Sequence, residues 1–162
     1  MATEPEAAGT VEYVLAGLPE VPAMRELFSE YGRSLGIDLS FQDFPRELET
    51  LPGKYAPPDG AAILALVGGA ACGCVALRKI EEGSCEMKRL YVRPDARGLG
   101  IGAELVRRII DVARARGYRV MRLDTLPDMK SAIALYTSFG FRQIPAYTYN
   151  PIHGAVYMEK TL

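Results

Sequence analysis

The chain has 162 residues, with 19 Lys+Arg against 20 Asp+Glu, one histidine and three cysteines. A net charge near zero argues against a nucleic-acid-coating protein or a polybasic membrane binder, and the lone His153 excludes a multi-histidine metal site, so no metal is expected. Cys72, Cys74 and Cys85 lack zinc-site spacing and are odd in number, which fits small buried thiols in a reducing cytoplasm better than a disulfide framework.

Residues 1–9 are acidic and alanine-rich, without the basic, apolar pattern of a signal peptide. They read as a flexible tail ahead of one domain spanning 10–162. Thr10 to Leu15 alternates as a first strand. Pro19 and Pro22 open a helix with Met24, Leu27, Phe28, Tyr31 and Leu35 at helical spacing, and Gly36 is its natural stop. Phe41 to Leu51 reads as a weaker second helix, followed by the loop LPGKYAPPDG. Ala61 to Leu77 is uncharged, but it is short for a membrane span and is broken by Gly68-Gly69. Two strands, Ala61–Val67 and Ala70–Leu77, joined by a Gly-Gly turn explain it better. Arg78 to Ser84 reads as a turn into a strand ending at Val92, since Pro94 cannot donate to a ladder.

Helical spacing of Leu105, Val106, Ile109, Ile110 and Ala113 predicts a helix from Leu99 to Arg116, stopped by Gly117. A strand over Tyr118–Thr125, a helix over Asp128–Phe139 and closing strands at Phe141–Ile144 and Ala155–Leu162 complete the chain. Early hairpins, one βαβ crossover and a closing strand pair predict an α/β fold with a mixed sheet and helices on both faces.

The loop Arg97-Gly98-Leu99-Gly100-Ile101-Gly102 stands between a strand and a helix. The first amides of a helix lack internal partners and carry the positive end of its dipole. Glycines let a ligand approach that backbone, and Arg97 adds a planar fork suited to phosphate. The stretch is a plausible cradle for a phosphate or diphosphate.

Arg97-x-x-Gly100-x-Gly102, after a strand ending Leu90-Tyr91-Val92-x-Pro94, resembles the acetyl-coenzyme A signature of the GNAT N-acetyltransferases. Ala132-x-x-Leu135-Tyr136-x-x-x-Gly140-Phe141 resembles the family's second signature. The resemblance implies the GNAT fold, a mostly antiparallel sheet of about seven strands flanked by about four helices. It implies acetyl transfer from acetyl-coenzyme A, without a metal, to a primary amine on a small molecule or peptide. It implies that Arg97, Gly98, Leu99, Gly100, Ile101 and Gly102 hold the diphosphate, and that the strand carrying Leu90, Tyr91 and Val92 bulges away from the next so that its backbone holds the pantetheine arm in the gap. Tyr136 is then the acid that protonates the departing thiolate. Glu86, eleven positions before Arg97, stands where several members place a general base. Many members carry an asparagine seven positions before the tyrosine, where this chain has Met129; Asp128, Lys130 or Ser131 are the candidate replacements, with Ser131 included in the coenzyme site. Phe41, Asp124, Tyr147 and Tyr149 are candidates for the acceptor pocket, with Phe44 and Tyr55 opposite. Family members are often dimers, which leaves a homodimer open.

On a period-two strand Glu86, Lys88 and Leu90 share one face and Met87, Arg89 and Tyr91 the other. Charge on both faces suggests an end that opens into a cleft. Two other readings compete. One is a non-catalytic coenzyme A sensor on the same fold. The other is a dinucleotide-binding oxidoreductase, from Gly98-x-Gly100-x-x-Ala103 with Asp124 downstream. Only 38 residues follow Asp124, too few for the βαβ units that the second reading needs.

Overall fold

The computed structural model describes residues 10–162, with Phe41 described by its backbone alone; the expected tail at 1–9 lies outside the described residues. Strand β1 (Val11–Leu15) pairs with β2 (Ala61–Val67), β2 with β3 (Ala70–Glu81) and β3 with β4 (Ser84–Val92), all antiparallel. Strand β5 (Val120–Thr125) runs parallel to β4. It also pairs with β7 (Val156–Thr161), which carries the short edge strand β6 (Arg142–Ile144). The seven-stranded order is β1-β2-β3-β4-β5-β7-β6. Gly68 and Gly69 form the β2–β3 turn, both at positive φ (57° and 81°), the conformation a two-residue hairpin of this kind demands.

Four helices cover the two faces. Helix α1 (Val21–Leu35) and the short α2 (Phe44–Glu49) lie on one side, with Met24, Leu27, Phe28 and Phe44 packed on Leu64, Cys74 and Ala76. Helix α3 (Ile101–Ala115) and α4 (Lys130–Ser138) lie on the other. The apolar stripe of α3 is buried against Ile63, Val75 and Leu77, each large side chain contributing about 1.5–3 kcal/mol. Its outer face is ionic, with Arg107 bonding Asp111 at 3.0 Å. Helix α3 is the crossover that joins the parallel neighbours β4 and β5. Among the described residues that is the one parallel pair, so the stacked parallel sheet of a dinucleotide fold is not formed. Among the described residues no helix is long and apolar enough to cross a membrane.

Several boundaries differ from the sequence expectation. Strand β3 runs to Glu81, so Arg78 lies in the ladder opposite Glu86 rather than in a turn, and the reversal is confined to Glu82-Gly83. The second helix contracts to Phe44–Glu49, preceded by a 3-10 turn at Ser40–Gln42, because Asp43 takes a left-handed conformation between them. Helix α3 starts at Ile101, not Leu99, because Gly100 is left-handed (φ 74°) and caps it.

One departure shapes the site. Cys74 pairs with Tyr91 while Ala76 pairs with Lys88, so two steps on β3 face three on β4. Arg89 occupies this bulge at φ 61°. The extra residue reverses the alternation beyond it. Leu90 and Val92 pack with the α3-side cluster that holds Cys85 and Met87, whereas Tyr91 joins the α1 side. The expected sharing of one face by Glu86, Lys88 and Leu90 is therefore corrected. Glu86, Lys88 and Arg89 all turn to the α1–α2 side, and the charges are gathered on one face rather than spread over two.

Candidate active site

Strands β4 and β5 are in register only over Ser84–Glu86 against Val120–Arg122. Past Glu86 the bulged β4 leaves β5, and a narrow cleft opens between them. Met87 and Leu90 form one wall, Leu123 and Thr125 the other, and Tyr136 and Met129 line it from α4. One backbone edge of Met87–Val92 is left without a strand partner there.

The start of α3 stands beside the end of β4. After the Arg97 amide bonds Pro94, the next backbone amide to donate outside regular elements is that of Glu104, to Gly100 at 3.1 Å. The helix has no side-chain cap, so its first amides are left facing outward. Gly98 and Gly100 both sit at positive φ, and a side chain at either would enter open space rather than protein. Glycine at 100 is thus demanded by the backbone and keeps that space clear. Arg97 bonds the Val92 carbonyl through Nε at 3.1 Å, which holds its guanidinium between strand end and loop. The geometry fits a diphosphate on amides and guanidinium, with an extended arm reaching into the β4–β5 split.

Tyr136 is buried on α4 and packs edge-on against Phe141, centroids 5.9 Å apart. Burial, with Tyr31 and Asp124 nearby, pushes its phenol well above the ordinary range, so it holds its proton at neutral pH. Met129 is the residue capping α4, without a side-chain cap bond, and its sulfur accepts the Thr125 hydroxyl at 3.6 Å. Ser131 is exposed in the first turn of α4.

A second, wider chamber adjoins the cleft on the α2 side. Gln42, Lys88, Arg89 and Asp124 line both cavities and so form the passage between them. Glu86, 1% exposed, sits in the chamber wall. Its Oε1 accepts Arg78 Nε at 2.8 Å and lies 3.6 Å from Lys88 Nζ, and its Oε2 accepts the Tyr147 hydroxyl at 2.6 Å. Burial alone would raise this carboxyl; Lys88, Arg78 and Tyr147 more than offset that and hold it below its usual range. Glu86 is an ionised anchor with both oxygens engaged. Arg89 is held by Glu47 through two bonds, 2.9 and 3.1 Å, and by Gln42 at 2.9 Å, over the Phe44 ring. Asp124 accepts from Asn150 at Oδ2, 3.1 Å, and lines both cavities.

Of the acceptor candidates, Asp124 and Tyr149 line the chamber, and Tyr147 stands behind it as a donor to Glu86. The side chain of Phe41 lies outside the described residues. Phe44 and Tyr55 belong instead to the core under α1, Tyr55 edge-on to Phe28 at 5.7 Å. Gln42, Glu47, Lys54 and Arg78 take their place at the chamber. With Glu82-Gly83 as the turn, regular pairing would set Arg78 opposite Met87; a register shift between Lys79 and Glu81 brings it opposite Glu86 instead, which no period-two reading supplies. The role of Arg89 depends on a bulge that its local sequence does not mark, although the family resemblance implies that this strand bulges.

Residues 21–141 match the family described as acetyltransferase (GNAT) family. An uncharacterised N-acetyltransferase of Schizosaccharomyces pombe is 46% identical over 135 residues, covering 82% of this chain and 83% of that protein. An IAA acetyltransferase of Azospirillum brasilense is 38% identical over 152 residues, covering 89% and 94%. The crystal structure of a GNAT-family acetyltransferase from Staphylococcus aureus superposes with a TM-score of 0.78 at 19% identity, over 94% of this chain and 99% of that one. The paia N-acetyltransferase of Thermoplasma acidophilum, solved in complex with coenzyme A, superposes with a TM-score of 0.74 at 17% identity, over 94% and 99%. The fold is shared with these structures, and by the family match and the identity to its relatives this chain is an acyltransferase belonging to the GNAT N-acetyltransferase family.

Proposed function

We propose that the protein transfers the acetyl group of acetyl-coenzyme A to a primary amine held in the α2-side chamber, by direct attack in a ternary complex. The observation that carries this is the meeting of an uncapped, glycine-cleared helix start with a split between strands that leads to a lined chamber. Acetyl-coenzyme A supplies an activated thioester carbonyl and a thiolate leaving group. Arg97 and the amides from Gly98 to Gly102 hold its diphosphate. The free backbone edge of Leu90, Tyr91 and Val92 holds the arm and polarises the carbonyl, as an oxyanion hole does. Ser131 is near enough to the α4 start to contribute a hydroxyl in place of the family's asparagine. Tyr136, still protonated at neutral pH, gives its proton to the sulfur.

The carboxylate that takes the amine's proton in this reading is Asp124. It lines the passage and accepts from Asn150 at Oδ2, whereas both oxygens of Glu86 are committed to Arg78, Lys88 and Tyr147. Glu86 acts by fixing that cationic floor and the Tyr147 loop.

The test is release of coenzyme A thiol over a panel of amino acids, small amines and peptides. Turnover of at least one amine is expected. Tyr136→Phe is expected to lower kcat by about 100-fold or more while acetyl-coenzyme A affinity stays within about threefold. An unchanged kcat would remove Tyr136 from the reaction.

A further inference from the structure

Of the two buried cations on β4, Lys88 is the less fully paired, with Glu86 at 3.6 Å and the Asp124 carboxylate also acting on it. Its side chain is 12% exposed, and burial pulls its ammonium below the ordinary lysine range. An ammonium has three donors. Here one bond, 3.2 Å to the neutral carbonyl of Gln42, is formed. The nearest carboxylate oxygen, Glu86 Oε1 at 3.6 Å, already accepts Arg78 at 2.8 Å. One anionic oxygen therefore serves two cations. Arg89, next along the strand, is fully matched by Glu47 and Gln42 and has no such deficit. Lys54, on the rim of the same chamber, has no ion-pair partner among the described residues. A buried cation with unfilled donors is costly unless something anionic meets it.

Its position says which molecule does so. Lys88 and Asp124 both line the passage between the cleft and the chamber. A ligand there meets a cation on β4 and a carboxylate on β5. We propose that the acceptor is a small amine that also bears a carboxylate, an amino acid or a close analogue, with that carboxylate on Lys88 and its amine at Asp124. This rests on the acetyl-transfer reading above and adds to it the class of acceptor. The Lys88–carboxylate contact turns the amine toward the cleft and fills the two empty donors. Lys54 serves a longer or second acidic group at the rim. Uncharged amines lack the group that compensates Lys88, so they bind more weakly.

The experiment compares each amino acid with its own carboxamide, which keeps the amine and side chain and loses the charge. Thiol release gives kcat/KM, and calorimetry with coenzyme A-loaded protein gives affinity without turnover. The acid is expected to exceed the amide by about tenfold or more in both readouts, as charge-assisted bonds exceed neutral ones. Lys88→Met, close in volume and suited to a buried site, is expected to shrink that ratio to about twofold or less. Lys88→Gln serves as the second variant, and acetyl-coenzyme A binding reports that each is folded. Equal use of acid and amide by the parent overturns the inference and leaves acetyl transfer standing. A ratio that survives in both Lys88 variants overturns it as well. No turnover of either member, with acetyl-coenzyme A bound, overturns this inference, and the transfer reading falls with it when the small amines and peptides of the panel are inert as well.

Discussion

At the scale of single residues the two acidic side chains near the passage divide their work by environment. Glu86 carries a depressed carboxyl, so its stabilising effect is full above about pH 4.5, the ordinary value, and fades as pH falls through the lower folded-state value. Glu86→Gln leaves Arg78 and Lys88 buried without their counter-charge and is expected to cost about 3 kcal/mol at pH 7. That deficit should narrow as pH falls from 4.5 toward the lower folded-state value, through which the folded parent loses the charge as well; chemical denaturation across pH measures it. Asp124→Asn should leave stability within about 1 kcal/mol and lower kcat about 100-fold or more. The reverse pattern, a stable but inactive Glu86→Gln beside an active Asp124→Asn, would return the base role to Glu86. The sequence marked both residues as candidates. It was silent on their division of roles, because that depends on a register shift that sets Arg78 opposite Glu86 and on Tyr147 arriving from sixty-one residues downstream.

Elements were legible in proportion to how local their signals are. The apolar spacing of α1 and α3 and the Gly68-Gly69 hairpin are written in contiguous residues, and the structure follows them. The start of α3 moved by two residues because the left-handed Gly100 belongs to the loop. The expected α4 helix contracts to Lys130–Ser138. A bulge in this strand is what the family resemblance implies, but its place at Arg89 was not legible in the local pattern. Its positive φ costs on the order of 1 kcal/mol, and it is fixed by Glu47, Gln42 and Phe44, which lie over forty positions upstream. That bulge peels β4 from β5, so the element that makes the cleft is the one period-two reasoning misplaced. Helix α4 gives a prediction at this scale. Met129 stands at its N-cap with no side-chain cap bond. Met129→Asn should supply one and add about 1 kcal/mol. In a chain of this size that is a rise of about 2–4 °C in Tm. A drop would show that the Thr125–Met129 contact matters more to α4 than the cap does.

Across the whole molecule the sheet has two unequal jobs. From β1 to β4, and again from β5 to β6, it is a continuous ladder with helices on both faces. At the β4–β5 seam it is joined by three register pairs and then parts. One side of the parting leads to the glycine loop of α3 and the other to the charged chamber under α2. The proposed donor and acceptor sites are thus brought together by a single defect in one sheet. The most direct test is calorimetric titration with acetyl-coenzyme A of the parent and of Gly100→Val, with thermal unfolding followed in parallel. The parent should bind one equivalent. The valine, strained by about 1–2 kcal/mol in a left-handed position and filling the cleared space, should unfold a few degrees lower and bind at least about tenfold more weakly. A parent that fails to bind, or a folded Gly100→Val that binds as tightly as the parent, would contradict the diphosphate cradle on which the account stands.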